Sequence, residues 1–303
     1  MAVKRLGFVG LGNLGRHLAA SLARAGFPLT VHDAREEAAE PLVALGATQA
    51  ASPRAVADAS DSVFTCLPSP AAVTEVVEQL AAGLRPGATW IDSSTNDAHE
   101  LQRLAAVLAK HGVRTLEAPV TGGVHLAATG EITVIVGGDA GVYADHADAF
   151  AAIGRRVFHV GPLGSASRMK VITNLLAFVH LVAAGEALML ARQSGIDLAQ
   201  AFEVIRASSG TSFVHETESQ VILNGSYDIG FTLDLACKDL GLALELGREH
   251  GVPLELGGLV ARLFAQARER YGGSAWSPMV VRLLEDEVGA DLRAPGFPPR
   301  LGA

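Results

Sequence analysis

Three glycines near the start of the chain have the spacing of a phosphate-binding turn. The segment runs Gly10, Leu11, Gly12, Asn13, Leu14 and Gly15 and follows an apolar run that is typical of a strand. In this setting the first glycine permits a tight turn, the second lets the backbone approach a pyrophosphate, and the third lets helix and strand pack closely. The following helix would face the phosphates with unpaired N–H groups and the positive end of its dipole. The pattern therefore predicts that these six residues bind a dinucleotide.

An acidic residue, Asp33, ends the next apolar run, 18 residues after Gly15. A carboxylate ~20 residues beyond the glycines binds the hydroxyls of the adenosine ribose. Because a carboxylate repels a 2′-phosphate, Asp33 favours NAD as the cofactor, although the nearby Arg35 complicates that preference and NADP stays open. The competing interpretation is that Asp33 only caps the loop after its strand.

Two polar residues, Lys170 and Asn174, interrupt a long apolar helical pattern. They are four residues apart, so both side chains would lie on one face of the helix. No other charged residue follows Lys170 until Glu186, which indicates a buried polar site. Burial lowers the pKa of a lysine towards the range in which it acts as a general acid or base. The alternative is a lysine at the helix start whose amine reaches solvent past its apolar stem.

Polar residues and glycines also stand at the ends of other predicted strands. In an open parallel sheet, ligands bind beyond the carboxyl ends of the strands. The N–H groups of paired glycines after a strand suit a carboxylate, which makes Thr121-Gly122-Gly123 a candidate carboxylate-binding turn. The other strand-end segments are Leu67-Pro68 and Asp92-Ser93-Ser94-Thr95. For the serine and threonine cluster an ordinary turn is the competing interpretation.

The elements that must position these residues alternate between strand and helix over the first half of the chain. Nearly continuous apolar runs indicate strands that are buried on both faces. Strand–helix–strand repetition with short connections indicates an α/β fold with a doubly wound parallel sheet. Strands are predicted at 6–10, 29–33, 62–67, 88–94, 113–120 and 131–138, and helices at 17–26, 37–46, 71–84 and 98–112.

The pattern becomes wholly helical after residue 164. A helix from 165 to 194 would span about 45 Å at a rise of ~1.5 Å per residue, so we expect it to bridge two domains. We predict a dinucleotide-binding domain at 1–164, this interdomain helix at 165–194, an all-helical domain at 195–290 and an extended or disordered tail at 291–303. Further helices are expected at 197–207, 214–223, 231–250, 254–271 and 277–288.

The composition argues against several classes of protein. A formal net charge of −8 is opposite to the basic footprint of a nucleic-acid-binding protein. The N-terminus lacks the apolar core and cleavage site of a signal peptide. The longest apolar stretch contains Asn174 and His180 and is shorter than the ~18 residues of a membrane span. We therefore expect a cytoplasmic protein with no membrane or nucleic-acid partner, no metal site, and free thiols at Cys66 and Cys237.

Taken in order, the motifs resemble the β-hydroxyacid dehydrogenases, the 6-phosphogluconate dehydrogenase-like group that contains 3-hydroxyisobutyrate dehydrogenase and tartronate semialdehyde reductase. The resemblance covers about residues 4–290 and rests on GFVGLGNLG, CLP, DSST, APVTGG, GEITVIVGG, GPLGSASRMKVITN, SSG and KDLGLA. It implies an N-terminal Rossmann-type domain, a long interdomain helix and a C-terminal all-α domain. It also implies a homodimer or a homotetramer.

The resemblance gives each matching residue a role. Lys170 becomes the catalytic lysine, and Asn174 helps to place the substrate hydroxyl or carbonyl. The substrate carboxylate is expected at Thr121, Gly122 and Gly123. The remaining contacts are to the dinucleotide, from Leu67, Pro68, Thr95 and Lys238, with Asp239 supporting Lys238. The bulky segment Val124-His125-Leu126 departs from the small residues common there and leaves the identity of the substrate open.

The function that these residues imply is reversible hydride transfer between NAD(H) and a small 3-hydroxy acid or its semialdehyde, with Lys170 as the general acid or base. One alternative is an NADPH-type semialdehyde or imine reductase on the same fold, although imine reductases generally lack the helix lysine. A 6-phosphogluconate-type enzyme would need a basic phosphate site that the sequence lacks. A dinucleotide-binding module without catalysis would have lost Lys170 or Asn174, and both are present.

Overall fold

The computed structural model describes residues 4–302, and the chain divides into two compact units, Met1–Lys170 and Val171–Ala303. Residues 1–3 of the predicted first domain and Ala303 of the predicted tail lie outside the described residues. The division falls within the long helix, which runs from Ser165 to Gln193 and so nearly coincides with the predicted 165–194. The two units are described in turn.

The first unit alternates strands and helices. In chain order its elements are β1 (Leu6–Val9), α1 (Gly15–Arg24), β2 (Leu29–His32), a 3₁₀ turn (Glu36–Ala39), α2 (Glu40–Val43), β3 (Thr48–Gln49), α3 (Pro53–Ala59), β4 (Ser62–Thr65), α4 (Pro70–Ala81), β5 (Thr89–Asp92), α5 (Ala98–Ala109), β6 (Arg114–Glu117), β7 (Val120–Thr121), α6 (Val124–Thr129), β8 (Thr133–Gly138), α7 (Ala140–Ala144), α8 (Ala147–Ile153), β9 (Arg156–Gly161) and the start of α9 (Ser165–Gln193).

These strands form a single sheet in the order β3-β2-β1-β4-β5-β6-β8-β7, and β9 pairs with β8. Neighbouring strands are parallel from β3 to β6, which confirms the doubly wound α/β fold. Strand β8 runs antiparallel to β6 and β7, so the predicted parallel sheet is mixed at this edge. The reason is that an apolar run reports the burial of a strand and carries no information on its direction.

Successive residues of the central strands pack on opposite faces of the sheet. Phe8 and Phe64 stack with ring centroids 6.0 Å apart in the core that α1 and α8 cover. Val9 and Val63 belong to the core on the other face, which α3, α4 and α5 cover. Because both faces are covered by helices, the loops at the carboxyl ends of the strands are the part of the sheet where a ligand binds in such folds.

The second unit is helical, as predicted. It contains the remainder of α9, followed by α10 (Leu198–Arg206), α11 (Phe213–Asn224), α12 (Leu233–Glu249), α13 (Glu255–Tyr271), a 3₁₀ turn (Ser277–Val280) and α14 (Arg282–Val288). Within residues 171–302 the only β pairing is an isolated bridge between Thr232 and Trp276. Phe178 of α9 packs against Phe264 of α13 with ring centroids 5.1 Å apart, inside a core to which every helix of the unit contributes.

Residues 291–302 pack on the second unit without forming helix or strand. Leu292 is fully buried, and its N–H donates to Glu285 Oε1 at 2.7 Å. Arg293 donates to the same oxygen at 2.8 Å and to the hydroxyl of Tyr227 at 2.7 Å. Tyr227 also donates to the Glu285 carboxylate. This network fastens Leu292 and Arg293 to α14 and to Tyr227, which follows α11.

The helix α9 is long and apolar enough to cross a membrane by length and composition alone, and 33% of its most apolar stretch is buried. The interior helix of a soluble protein passes the same test. The absence of a membrane partner therefore stays a prediction from the sequence.

Candidate functional site

The glycine turn between β1 and α1 has two glycines that the fold itself requires and one that it does not. A Cβ on Gly10 would lie 2.4 Å from the carbonyl oxygen of Cys66, and a Cβ on Gly15 would lie 2.0 Å from that of Gly10. A Cβ on Gly12 would meet no atom within 4 Å. Side chains at positions 10 and 15 would therefore clash with the backbone of the protein itself. The space at Gly12 is open, as a close approach by a pyrophosphate requires.

Asp33 joins the loop after β2 to this glycine turn. Its Oδ2 accepts a hydrogen bond from the N–H of Leu11 at 2.6 Å, and its Oδ1 accepts one from the N–H of Arg35 at 2.9 Å. The guanidinium of Arg35 lies 3.7 Å from Oδ1 and is mostly exposed. Asp33 thus makes the contacts expected of a residue that caps the loop after β2. These contacts also hold the carboxylate beside the turn, where the ribose of a dinucleotide is expected.

A buried carboxylate, Asp92, organises the loops that follow β4 and β5. Its Oδ1 accepts from the hydroxyl of Thr65 at 2.9 Å and from the N–H of Ser94 at 3.1 Å, and its Oδ2 accepts from the amide of Asn96 at 3.2 Å. Burial raises the pKa of Asp92, and these hydrogen bonds oppose the rise. Ser94 Oγ in turn accepts from the N–H of Leu67 at 2.9 Å. Hydrogen bonds through Ser94 therefore connect the two segments that contain Leu67, Pro68 and Thr95, the residues predicted to bind the dinucleotide.

The predicted carboxylate-binding segment lies between β7 and α6. Gly122 and Gly123 have φ angles of +121° and +88°, a region of backbone conformation that residues with a side chain rarely adopt. Glycine is therefore needed at both positions to connect Thr121 of β7 directly to Val124 of α6. The pair forms the short turn at the end of a strand that was expected from the sequence.

Lys170 lies on α9, and its charge acts on the end of β4. Burial raises the pKa of the Cys66 thiol to about 12, the negative charge of Asp92 raises it as well, and the positive charge of Lys170 lowers it. The lysine amine is therefore within electrostatic reach of the residue that precedes Leu67 and Pro68. The side chains of Lys170 and Asn174 are half-buried rather than fully buried, contrary to the expectation. The reason is that much of the apolar surface of α9 is exposed.

In the second unit, Asp239 brings Asn174 and Lys238 together. The amide of Asn174 donates to Asp239 Oδ2 at 2.6 Å, and Lys238 Nζ lies 2.8 Å from Asp239 Oδ1. Asp239 is 1% exposed, so its charge is offset by these two side chains rather than by water. The expected support of Lys238 by Asp239 is present in this geometry. The link from Asp239 to Asn174 was missed, because the two residues are 65 positions apart in the sequence.

Within residues 4–302, no three His, Cys, Asp or Glu side chains are grouped so that they could hold a metal ion.

Comparison with known proteins assigns the chain to a family. A family model described as the NAD binding domain of 6-phosphogluconate dehydrogenase matches residues 5–161, more than half of the chain. A second model, described as "NAD-binding of NADP-dependent 3-hydroxyisobutyrate dehydrogenase", matches residues 164–284. The chain belongs to the β-hydroxyacid dehydrogenase family. The glycine turn and Asp33 lie in the first match, and Lys170, Asn174, Lys238 and Asp239 lie in the second.

Individual relatives cover this dehydrogenase almost completely. It is 32% identical over 293 residues to 2-(hydroxymethyl)glutarate dehydrogenase of Eubacterium barkeri, with coverage of 95% of this chain and 97% of that one. It is 34% identical over 286 residues to L-threonate dehydrogenase of Cupriavidus necator, with coverage of 93% and 96%. A solved structure of Mycobacterium tuberculosis 3-hydroxyisobutyrate dehydrogenase with L-serine matches with a TM-score of 0.84 at 28% identity and covers 93% and 99% of the two chains. The protein is an NAD(P)-dependent oxidoreductase that acts on CH–OH groups.

The geometry of the glycine turn predicts that Gly12→Ala separates cofactor binding from folding. Without cofactor, this variant should unfold at the temperature of the parent protein, because its methyl group meets no neighbouring atom. It should bind NADH about tenfold or more weakly, a loss of ~1.4 kcal/mol, because the methyl group fills the space that the pyrophosphate needs. Thermal unfolding and fluorescence titration with NADH measure the two effects.

Two further variants serve as controls for Gly12→Ala. Gly258→Ala on α13 places its Cβ 3.8 Å from the nearest atom, an ordinary contact, and should change neither quantity. Gly15→Ala should lower the unfolding temperature even without cofactor, because its Cβ would lie 2.0 Å from a backbone oxygen. Undiminished NADH binding by Gly12→Ala would contradict the assignment of this turn to the pyrophosphate.

Proposed function

We propose that this dehydrogenase catalyses reversible hydride transfer between NAD(H) and a small 3-hydroxy acid or its semialdehyde, with Lys170 as the general acid and base. The observation that carries the proposal is the similarity of nearly the whole chain to dehydrogenases that are named for hydroxy acids. The effect of the Lys170 charge on Cys66, which precedes Leu67 and Pro68, is consistent with it. A positively charged amine near the reacting oxygen can donate or accept the proton that a hydroxyl or carbonyl group exchanges during hydride transfer.

Each residue of the site then has a chemical task. When bound, the dinucleotide supplies the hydride acceptor in oxidation and the donor in reduction. In oxidation the amine of Lys170 accepts the hydroxyl proton while the hydride leaves the adjacent carbon. In reduction the ammonium of Lys170 returns that proton to the carbonyl oxygen. Asn174, held by Asp239, orients the same oxygen, and the backbone of Thr121, Gly122 and Gly123 binds the carboxylate.

The substrate class follows from the carboxylate-binding turn and from the names of the relatives. The matched dehydrogenases are named for hydroxymethylglutarate and threonate, both of which carry a hydroxyl group and a carboxylate. The substrate can be identified by measuring turnover with 3-hydroxyisobutyrate, glycerate, 4-hydroxybutyrate and L-serine, four small hydroxy acids that differ in length and charge. A chain that reduces a cyclic imine and none of these acids would instead be an imine reductase, a class that shares this fold at 18% identity.

The role of Lys170 predicts the behaviour of Lys170→Ala. Removal of the amine should lower kcat by about 10²-fold to 10⁴-fold, the range of a general acid or base. The Kd for NADH should stay within about twofold of the parent value, a change of under 0.5 kcal/mol. The reason is that Lys170 is proposed to act in proton transfer and not in cofactor binding. Steady-state kinetics with the best of the four acids and a binding titration measure both quantities.

Lys110→Ala is the matched control, because Lys110 is an exposed lysine at the end of α5 and should not affect turnover. Full turnover by Lys170→Ala would refute the acid–base role. NADH binding by the parent protein without turnover of hydroxy acid or imine would favour a non-catalytic dinucleotide-binding module.

We also propose that NAD is preferred over NADP because of Asp33. Its carboxylate is held beside the glycine turn by the N–H groups of Leu11 and Arg35 and would repel a 2′-phosphate. Asp33→Asn keeps the shape and removes the charge, so the ratio of kcat/KM for NADP to that for NAD should rise about tenfold, or ~1.4 kcal/mol. The exposed Glu36→Gln is the control and should leave the ratio unchanged. An unchanged ratio in Asp33→Asn would assign Asp33 to loop capping alone.

We further propose a homodimer or homotetramer, which the family resemblance implies. An apolar groove supports it: the groove runs between Ile172–Val179 of α9 and the segment Pro253–Gly257 at the start of α13. Leu176 and Leu256 there are 55% and 56% exposed, which is unusual for large apolar side chains. Light scattering after size-exclusion chromatography should give two or four times the 31.4 kDa of one chain. A mass of one chain at micromolar concentration would contradict the proposal.

A further inference from the structure

The first turn of α9 is fastened to the sheet by a buried carboxylate that the sequence did not single out. Glu117 is the last residue of β6 and has no exposed surface. Its Oε1 accepts hydrogen bonds from the N–H groups of Gly164 and Ala166, both at 2.7 Å. Its Oε2 accepts from the N–H of Ser167 at 3.0 Å and from the hydroxyl of Ser167 at 2.5 Å.

This arrangement satisfies a specific need of the helix. The first N–H groups of a helix have no partner within it, and a negative charge at that end also interacts favourably with the helix dipole. Glu117 meets both needs from 47 to 50 positions away in the sequence. Burial raises the pKa of Glu117, and the hydrogen bonds from Ser167, Ala166 and Gly164 oppose the rise. Three of the four donors are backbone N–H groups, which can only donate, so the carboxylate form fits the site.

The sheet leaves room for this carboxylate at one neighbouring position. Gly137 of β8 is the register partner of Glu117. A Cβ on Gly137 would lie 2.2 Å from Glu117 Oε1 and 2.9 Å from Glu117 Cδ. The absence of a side chain at residue 137 therefore permits the Glu117 side chain to reach α9. The contact thus depends on two strands and on the helix start together.

The position of Glu117 connects two parts of the proposed active site. Lys170 follows Ser167 by three residues, within one turn of the same helix. Thr121 follows Glu117 by four residues, at the start of the turn that is proposed to bind the substrate carboxylate. A helix start that is free to shift would move Lys170 relative to that turn. A misplacement of ~1 Å is enough to cost about 10²-fold in rate.

We propose that Glu117 is a positioning residue for the reaction: its carboxylate fixes the first turn of α9, and with it the amine of Lys170, relative to the Thr121–Gly123 turn. The proposal rests on the function proposed above. Glu117 touches neither the substrate nor the cofactor in this proposal and acts entirely through α9.

The variant that tests the proposal is Glu117→Gln, which keeps the size of the side chain. Its amide nitrogen donates where Oε2 accepts, so it opposes the N–H of Ser167 and loosens the helix start. We expect kcat to fall about 10-fold to 10²-fold, while the Kd for NADH stays within about twofold. Ser167→Ala removes one donor of four and should give a smaller loss in the same direction. Glu131→Gln, the same change at an exposed carboxylate of the first unit, should have no effect.

A double-mutant cycle separates positioning from a merely structural role. In the Lys170→Ala background, Glu117→Gln should cause no further loss of the residual rate, because the group that it positions is gone. A Glu117→Gln variant with the parent kcat, or one whose loss is the same with and without Lys170, would overturn the proposal.

A second readout keeps the outcome independent of turnover. The rate of reductive methylation of Lys170, followed by mass spectrometry with Lys110 as the internal reference, should differ between the parent protein and Glu117→Gln. The same ratio in both proteins would overturn the positioning role even if no hydroxy acid were a substrate. If Lys170→Ala keeps full turnover while the methylation ratio changes, the proposed acid–base function fails and the placement of Lys170 by Glu117 stands.

Discussion

The structure of the first unit depends on the need of buried carboxylates for hydrogen-bond donors. Asp92 and Glu117 end neighbouring strands, are register partners in the sheet and have no exposed surface. A buried charge without partners would be far too costly to keep, so each carboxylate must gather N–H or O–H groups from the chain around it. Asp92 accepts hydrogen bonds from Thr65 at the end of β4 and from Ser94 after β5. Glu117 accepts hydrogen bonds from the start of α9. The ends of the strands are thereby joined to the segments that carry the candidate site.

The same principle operates in the second unit with a different set of residues. Asp239 is almost fully buried on α12; its Oδ2 accepts from the amide of Asn174, and its Oδ1 forms an ion pair with the amine of Lys238. Asn174 lies one turn after Lys170 on α9, and Glu117 holds the beginning of that helix. Each carboxylate therefore holds a part of α9 within its own unit: Glu117 holds the first turn, which precedes the predicted catalytic Lys170, and Asp239 holds the predicted substrate-binding Asn174.

The long, regular elements of both units could be predicted from the sequence, and the short ones could not. The helices α4, α5, α12 and α13 lie within a few residues of their predicted bounds, because each carries an apolar face over three or more turns. The missed elements are short and sit at the edge of the sheet or between strands: β3, α3, α6, α7, α8 and β9. One of them had a local signal, since Ser52 caps α3 through the N–H of Ala55 and Pro53 follows it as the first helical residue. Strand β9 alternates exposed and half-buried residues and lacks the continuous apolar run on which the other strand predictions were based.

The class of the fold, the glycine turn and the candidate residues for chemistry could all be predicted before the structure was known. These features depend on local spacing. The glycines are identified by their spacing within one turn, and Lys170 and Asn174 are identified by the four-residue spacing that places them on one face of a helix. The groups that hold those residues in place come from distant parts of the chain and are brought to them only by folding. The partners of Glu117 are 47 to 50 positions away, that of Asn174 is 65 positions away, and those of Glu285 include Tyr227, 58 positions earlier. A buried polar group takes whichever donor the folded chain brings within about 3 Å, and no periodicity in the sequence records that choice.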